Sequence, residues 1–180
     1  AIGIFMWGWM YNGQFGMISG LLQNFGIING PVAWLAYGHT AFWATIVTDV
    51  WIGVPMVTIY FLAAMQSIPR DLYEAAWTDG AGRFYRFRRI TLPLMVPAII
   101  TMSLLSLIAT FNSFDIIWIL TQGGPSGSTT TMIIDTYKTA MGSRKYGEGA
   151  ARAVVICIFV SLFCLVYFRA VRKLSQGEAK

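Results

Sequence analysis

Apolar residues occur in three long blocks, at 40–65, 94–120 and 150–168, separated by polar stretches. Each block is long enough to cross a hydrocarbon core of about 30 Å, which takes about 20 helical residues. A shorter apolar segment, 1–11, is typical of the end of a further span or of an interfacial helix. The pattern predicts an all-α integral membrane protein, a polytopic helix bundle with three complete spans plus part of another.

The stretches between the blocks differ in character. Residues 12–38 carry no charge and are rich in Gly and Asn, which predicts an outer loop with a half-buried helix around 18–25. Residues 66–93 are the most charged part of the chain and predict two short helices, 71–79 and 82–89, separated by Gly80 as a left-handed stop. Residues 90–93 are expected to be extended, because Pro93 disfavours helix at Leu92.

The stretch 121–149 begins with the turn-rich string TQGGPSGSTT. It continues into residues 131–141, where an amphipathic segment is expected to lie at the membrane surface or to dip into it. We therefore predict a periplasmic loop with a possible re-entrant segment.

Composition and charge support a membrane protein. The chain is 56% hydrophobic and only 12% charged, whereas soluble domains carry about 25% charged residues. The net charge of +5 fits either the positive-inside rule or binding of nucleic acid; the first is favoured because the basic residues flank apolar blocks. Five basic residues in 66–93 and four from Arg169 onwards outnumber three in 121–149, so the first two segments are expected to be cytoplasmic.

Polar residues inside the blocks are candidates for a solute path, because an ionisable group at membrane depth usually faces an interior cavity. The candidates are Asp49, Ile52, Gly53 and Met56, spaced as one helical face, and Ser106, Thr110, Asn112, Ser113 and Asp115 in the second block. Alternatives remain open: Asp49 as half of a structural pair, Asp115 as an interfacial helix end, and the Ser106 and Thr110 hydroxyls bonded to their own helix.

Residues for catalysis or cofactor binding are not evident. His39 stands without a cluster of cysteines or carboxylates, so no metal site is expected. The glycine-containing strings lack the Gly-Lys-Ser/Thr ending of a phosphate loop, and no nucleophile–base set is visible. The chain is therefore predicted to be no enzyme and to bind no cofactor itself. A channel, or a membrane enzyme with a basic cytoplasmic loop, is the competing interpretation.

The charged loop carries a specific motif. Glu74-Ala75-Ala76, then Gly80, Ile90 and Leu92-Pro93, have the spacing EAA-x3-G-x9-I-x-LP. The chain thereby resembles binding-protein-dependent ABC permeases, in particular the carbohydrate-uptake branch that includes the maltose and glycerol-3-phosphate permeases. The strings that support this branch are 51–55 (WIGVP), 67–73 (SIPRDLY), 111–115 (FNSFD) and 121–125 (TQGGP).

This resemblance implies the fold of a type I ABC importer permease, with 1–180 as the C-terminal part of an N-terminally truncated transmembrane domain. The implied function is movement of a sugar or related polyol across the bacterial inner membrane by alternating access. The implied partners are a second permease subunit in a heterodimer, an ATPase dimer that carries Mg-ATP, and a periplasmic solute-binding protein. No nucleic acid is expected.

The resemblance also assigns residues. Glu74, Ala75, Ala76 and Gly80 are implied to couple the loop 66–93 to the ATPase, and Asp79 shares a helical face with the two alanines. The solute-contacting faces of the maltose permease align to the candidate path positions. There the position of Asp49 carries an amide and that of Met56 an aromatic residue, so this chain departs at both and its solute is left open.

Overall fold

The computed structural model describes residues 2–177, with side chains for 2–169 and 171. Throughout that range the regular structure is helical. The helices are α1 (Ile2–Met10), α2 (Met17–Asn24), α3 (Gly38–Gln66), α4 (Arg70–Thr78), α5 (Arg83–Arg86), α6 (Leu92–Phe111), α7 (Asp115–Leu120), α8 (Met132–Tyr137) and α9 (Tyr146–Gly177). Two π-helical segments, Phe87–Thr91 and Lys138–Gly142, follow α5 and α8. The helix predicted near 18–25 is therefore confirmed, and the amphipathic segment expected at 131–141 is helical; its location relative to the membrane stays a prediction.

Three helical runs are long and apolar enough to cross a membrane: Gly38–Gln66, Arg83–Phe111 and Tyr146–Arg169. They contain 29, 29 and 24 residues, or roughly 36 to 44 Å at 1.5 Å per residue. Most of their apolar side chains are not buried within this chain. Lipid or another protein must therefore cover them, and the prediction of three spans is confirmed.

The second span differs from its predicted bounds of 94–120. The helical run ends at Phe111, and α7 begins separately at Asp115. Asn and Ser, which occupy 112 and 113, favour helix ends because their side chains compete for backbone hydrogen bonds. Asp115 then lies in the first turn of α7, where a carboxylate suits the helix dipole. Ser113 consequently does not share a helix with Ser106 and Thr110, although the predicted second block contains all three.

The prediction that 90–93 is extended is wrong. Leu92 is helical, with φ −61° and ψ −46°, and its N–H donates to the carbonyl of Phe87, five residues earlier. A π-helical turn is wider than an α-turn, so it relieves the clash that a proline ring makes with the carbonyl four residues before it. The predicted helix 82–89 is thus the beginning of the second span.

The third span begins at Tyr146, before its predicted start at 150. Glu148 pairs with Lys145 at 3.4 Å and with Arg152 at 2.7 Å, and Arg152 also pairs with Asp135 of α8. These pairs neutralise the polar first turns of α9. The basic tail was predicted to include Arg172, Lys173 and Lys180; Lys180 and the side chains of Arg172 and Lys173 lie outside the described residues.

The chain divides into two compact units, described separately here: Ala1–Ile52 with Phe111–Leu162, and Gly53–Thr110 with Phe163–Lys180. In the first unit, Ile4 of α1 packs with Ile116 and Leu120 of α7, and the Tyr11 hydroxyl donates to the carbonyl of Ala44 at 3.0 Å. In the second unit, the Tyr167 hydroxyl donates to the carbonyl of Ile100 at 2.8 Å. Each unit is therefore held by helix-to-helix contacts of its own.

Candidate functional site

The loop between the first two spans is built around the nine-residue helix α4. Pro69 precedes it in an extended conformation, with φ −57° and ψ 133°, so the helix begins at Arg70. Asp71 lies in its first turn, where negative charge is favourable. The predicted helix 71–79 is confirmed to within one residue at each end.

A hydrogen-bonded cap ends α4 at Gly80. The N–H of Gly80 donates to the carbonyl of Trp77, and the N–H of Ala81 donates to that of Ala76, both at 2.9 Å. These two bonds form a Schellman motif, which needs a left-handed residue between helix and exit. Gly80 supplies it with φ +75°, so its predicted conformation is confirmed. A Cβ at Gly80 would meet no atom within 4 Å, which leaves backbone conformation as the reason for glycine.

A concavity of about 390 Å³ forms on the exit side of α4. Its lining consists of Ala76, Asp79, Gly80, Ala81, Gly82 and Tyr85. Of the five residues predicted for coupling, Ala76, Asp79 and Gly80 are thus brought together here. Glu74 and Ala75 do not line the concavity and lie exposed on α4. Five of the six lining residues have side chains no larger than that of aspartate, so a partner could approach the backbone closely.

Four exposed aromatic rings lie on α4 or shortly after it, and the sequence analysis missed them; Tyr85 is the one that lines the concavity. The exposed fractions are 72% for Trp77, 76% for Phe84, 58% for Tyr85 and 50% for Phe87. Aromatic residues are enriched where proteins bind one another. Four such rings within eleven residues of a charged loop were a readable signal for a protein interface.

Charges on the loop are segregated. Three carboxylates, Asp71, Glu74 and Asp79, and one basic residue, Arg70, lie on or directly after α4, whereas the other four arginines of the loop all follow Gly82. Within residues 2–169, the recorded ion pairs involve none of these side chains. The α4 part therefore carries a net negative charge, and the part after Gly82 carries a positive charge.

A hydrogen bond joins two of the candidate path residues in the first unit. The Ser113 hydroxyl donates to Oδ1 of Asp49 at 3.5 Å, and both residues are partly buried. This is a long hydrogen bond, so it leaves the carboxylate of Asp49 with ample capacity to accept others. Asp115 is exposed in the first turn of α7, which favours the alternative that it marks a helix end.

The other path candidates are placed individually. Ile52, in the first unit, is 37% exposed, and Met56, in the second, is 66% exposed. Gly53 and Ser106 are partly buried, whereas Thr110 and Asn112 are exposed. Their assignment to a solute path stays a prediction.

Three aromatic rings contact one another in the first unit, the first of them directly after Ser113, and these too were missed. Phe114 stacks on Trp118 with ring centroids 5.5 Å apart, and Tyr137 of α8 contacts both rings at 4.9 and 4.7 Å. The contact with Tyr137 comes from a segment about twenty residues away, so local spacing gave no signal for it. The trio holds α8 against the segment that carries Ser113.

The whole chain matches the profile of a known family, described as the binding-protein-dependent transport system inner membrane component, over residues 1–180. A probable ABC transporter permease protein of Brucella suis biovar 1 is 38% identical over 96% of this chain and 60% of its own length. The trehalose/maltose transport system permease protein MalF of Thermococcus litoralis is 40% identical over 92% of this chain and 55% of its own length. The chain therefore spans somewhat more than half of these relatives.

A solved structure shows the same fold. It is that of a bacterial alginate ABC transporter in complex with an alginate pentasaccharide-bound periplasmic protein. The TM-score is 0.86 with 23% identity, over 96% of this chain and 60% of the matched chain. The predicted fold class, that of a type I ABC importer permease, is confirmed.

Proposed function

Because this chain belongs to the family of binding-protein-dependent transport system inner membrane components, we propose that it forms part of the solute path of an ABC importer and receives the motion of a separate ATPase. The observation that carries the proposal is the loop 66–93, with its capped helix α4 and its exposed aromatic rings. The solute is a sugar or related polyol, in keeping with the trehalose/maltose permease among the relatives. The chain itself is a multi-pass membrane protein that performs no catalysis.

In this proposal the loop 66–93 lies in the cytoplasm and docks into a cleft of the ATPase. The two alanines and Gly80 let α4 seat closely, the exposed rings of Trp77 and Phe84 supply apolar contact, and the carboxylate of Glu74 meets a basic group. Mg-ATP is bound and hydrolysed on the ATPase dimer. A second permease subunit completes the path, and a periplasmic binding protein delivers the solute.

Docking of α4 transmits force because the loop is attached to spans on both sides. The first span ends at Gln66, four residues before α4, and the second begins at Arg83. Translation of α4 as a rigid body therefore displaces the cytoplasmic ends of two spans at once. That displacement would open the path alternately to the two sides of the membrane.

Crosslinking tests the docking directly. Thr78 is exposed on α4, and Ser143 is exposed in 121–149, which we predict to be periplasmic. In a background with Cys157 and Cys164 replaced by alanine, we expect Thr78→Cys to crosslink to the ATPase in membranes and Ser143→Cys to give no such product. A thiol reagent that cannot cross the membrane should reach Thr78→Cys only from the cytoplasmic side. Labelling of Thr78→Cys from outside, or the absence of any nucleotide-hydrolysing crosslinked partner, would contradict the proposal.

Gly80 provides a second test, based on backbone conformation. A non-glycine residue in the left-handed region costs about 1–2 kcal/mol, and asparagine tolerates it best. We expect Gly80→Val to disturb the exit from α4 and to lower uptake per ATP about tenfold. Gly80→Asn, which adds a side chain without the same strain, should retain most of the coupling. Equal activity of the two variants would show that left-handed backbone at Gly80 is irrelevant to coupling.

A further inference from the structure

Few contacts within the described residues hold helix α4 in place. None of its nine residues is buried, and no other described helix packs extensively against it. One polar contact ties it to the span that follows. The Tyr73 hydroxyl lies 2.8 Å from Oγ1 of Thr91, which is only 4% exposed. An otherwise exposed helix is thus anchored to a buried point at the base of the second span.

From this contact we infer that Tyr73 and Thr91 are positioning residues that carry the motion of α4 into α6, an inference that rests on the proposed function. The hydrogen bond joins residues 18 positions apart in sequence. The residues proposed to contact the ATPase all lie between Tyr73 and Thr91, the two residues that the hydrogen bond joins. A load on the segment between them therefore reaches the second span through this hydrogen bond as well as through Gly80.

Without the bond, the same load would reach the spans only through two interruptions of the helical backbone. Pro69 is extended immediately before α4, and Gly80 is left-handed immediately after it. A helix that is held only at two such points can rotate while the spans stay still. ATP hydrolysis would then proceed with little movement of the path. With the bond in place, α4 and the second span move together.

The location of Thr91 suits this role. It is the last residue of the π-helical segment, directly before Leu92 and Pro93. Such segments commonly occur at functional positions in helices. A threonine hydroxyl in a helix often bonds to a carbonyl of its own preceding turn, whereas the recorded partner of Thr91 is Tyr73. The side chain therefore serves contact between segments.

Substitutions that delete single hydroxyls test the inference in the complete transporter reconstituted in liposomes. We expect Tyr73→Phe and Thr91→Val each to lower solute uptake per ATP hydrolysed by about threefold to tenfold, the usual effect of one lost hydrogen bond. The double variant should be no worse than either single one, because both remove the same contact. Thr91→Ser, which keeps the hydroxyl, should restore the ratio.

Two controls separate coupling from folding. Tyr146→Phe removes an exposed hydroxyl from the start of α9, and Thr101→Val removes one that donates to the carbonyl of Pro97 within α6; both should leave uptake per ATP unchanged. Copurification of the ATPase should be normal in every variant. Full uptake per ATP in Tyr73→Phe and Thr91→Val, or loss of the ATPase from both, would overturn the inference alone. A wild-type complex without ATP-driven uptake would overturn the proposed function as well.

Discussion

Replacing Glu74 with lysine is expected to uncouple solute uptake from ATP hydrolysis, with a loss of at least roughly tenfold in uptake per ATP. Glu74 is exposed on α4 and belongs to no recorded ion pair within residues 2–169. In the free chain its charge is therefore of little consequence, because solvent screens it. In the docked complex the charge has a large effect, because a charged residue that repels its partner group at an interface weakens binding strongly. Measurement of uptake and hydrolysis in parallel, on the reconstituted transporter, checks the result.

Matched variants separate docking from general electrostatics. Glu74→Gln keeps the shape and removes the charge, so it should fall between wild type and Glu74→Lys. Asp71→Lys makes the same change of charge three residues earlier on the same exposed helix. It should cost only the modest helix-dipole term of about 0.3–1 kcal/mol and leave coupling largely intact. Normal uptake in Glu74→Lys, or an equal loss in Asp71→Lys, would refute a specific role for Glu74.

Much of the fold was predictable because the membrane imposes it. A block of apolar residues such as 40–65 must satisfy its backbone internally in lipid, so it forms a helix whatever its partners are. Helix α3, Gly38–Gln66, accordingly contains the whole block and continues through Pro55. Gly80 was predictable for a different reason, because few residues other than glycine end a helix in the left-handed region. In both cases one strong local constraint decides the backbone conformation.

Predictions failed where a weak local rule competed with helix continuity. Pro93 disfavours helix at the preceding residue, yet the chain accommodates it by widening the turn at Phe87–Thr91. The end of the second span was placed too late because Ile116 to Leu120 are as apolar as the span itself. Those residues pack instead against Ile4 of α1. Hydropathy alone does not distinguish a residue that faces lipid from one that faces another helix.

In the candidate site, too, single residues could be predicted from the sequence, whereas contacts between distant segments could not. The spacing of Glu74, Ala75, Ala76 and Gly80 could be read directly from the sequence, whereas the contact between Tyr73 and Thr91 depends on how α4 folds back towards the second span. The pairing of Asp49 with Ser113 crosses 64 residues and was likewise invisible, although both positions were chosen separately. Sequence patterns thus identified candidate residues one helix at a time, and the structure supplied the pairs.

Asp49→Ala is expected to abolish or retune solute uptake while the ATPase and the second permease still copurify. A carboxylate within a span is costly and needs polar partners. The recorded partner of Asp49 among the described side chains is Ser113, at 3.5 Å. The remaining acceptor capacity suits the hydroxyl groups of a sugar or polyol. A hydrogen bond to a charged group contributes about 1.5–3 kcal/mol, which corresponds to roughly tenfold to hundredfold in apparent affinity for the solute.

Ser113→Ala distinguishes a solute contact from a structural pair. If Asp49 only held Ser113 in place, removing the serine hydroxyl would reproduce the loss seen in Asp49→Ala, because the two variants break the same bond. If Asp49 contacts the solute, Ser113→Ala should cost little, and Asp49→Asn should alter which solutes compete for uptake. Uptake competition with a panel of sugars and polyols measures both effects. Unchanged affinity in Asp49→Ala would remove Asp49 from the path, since a charged group cannot line a binding surface and leave binding unaffected.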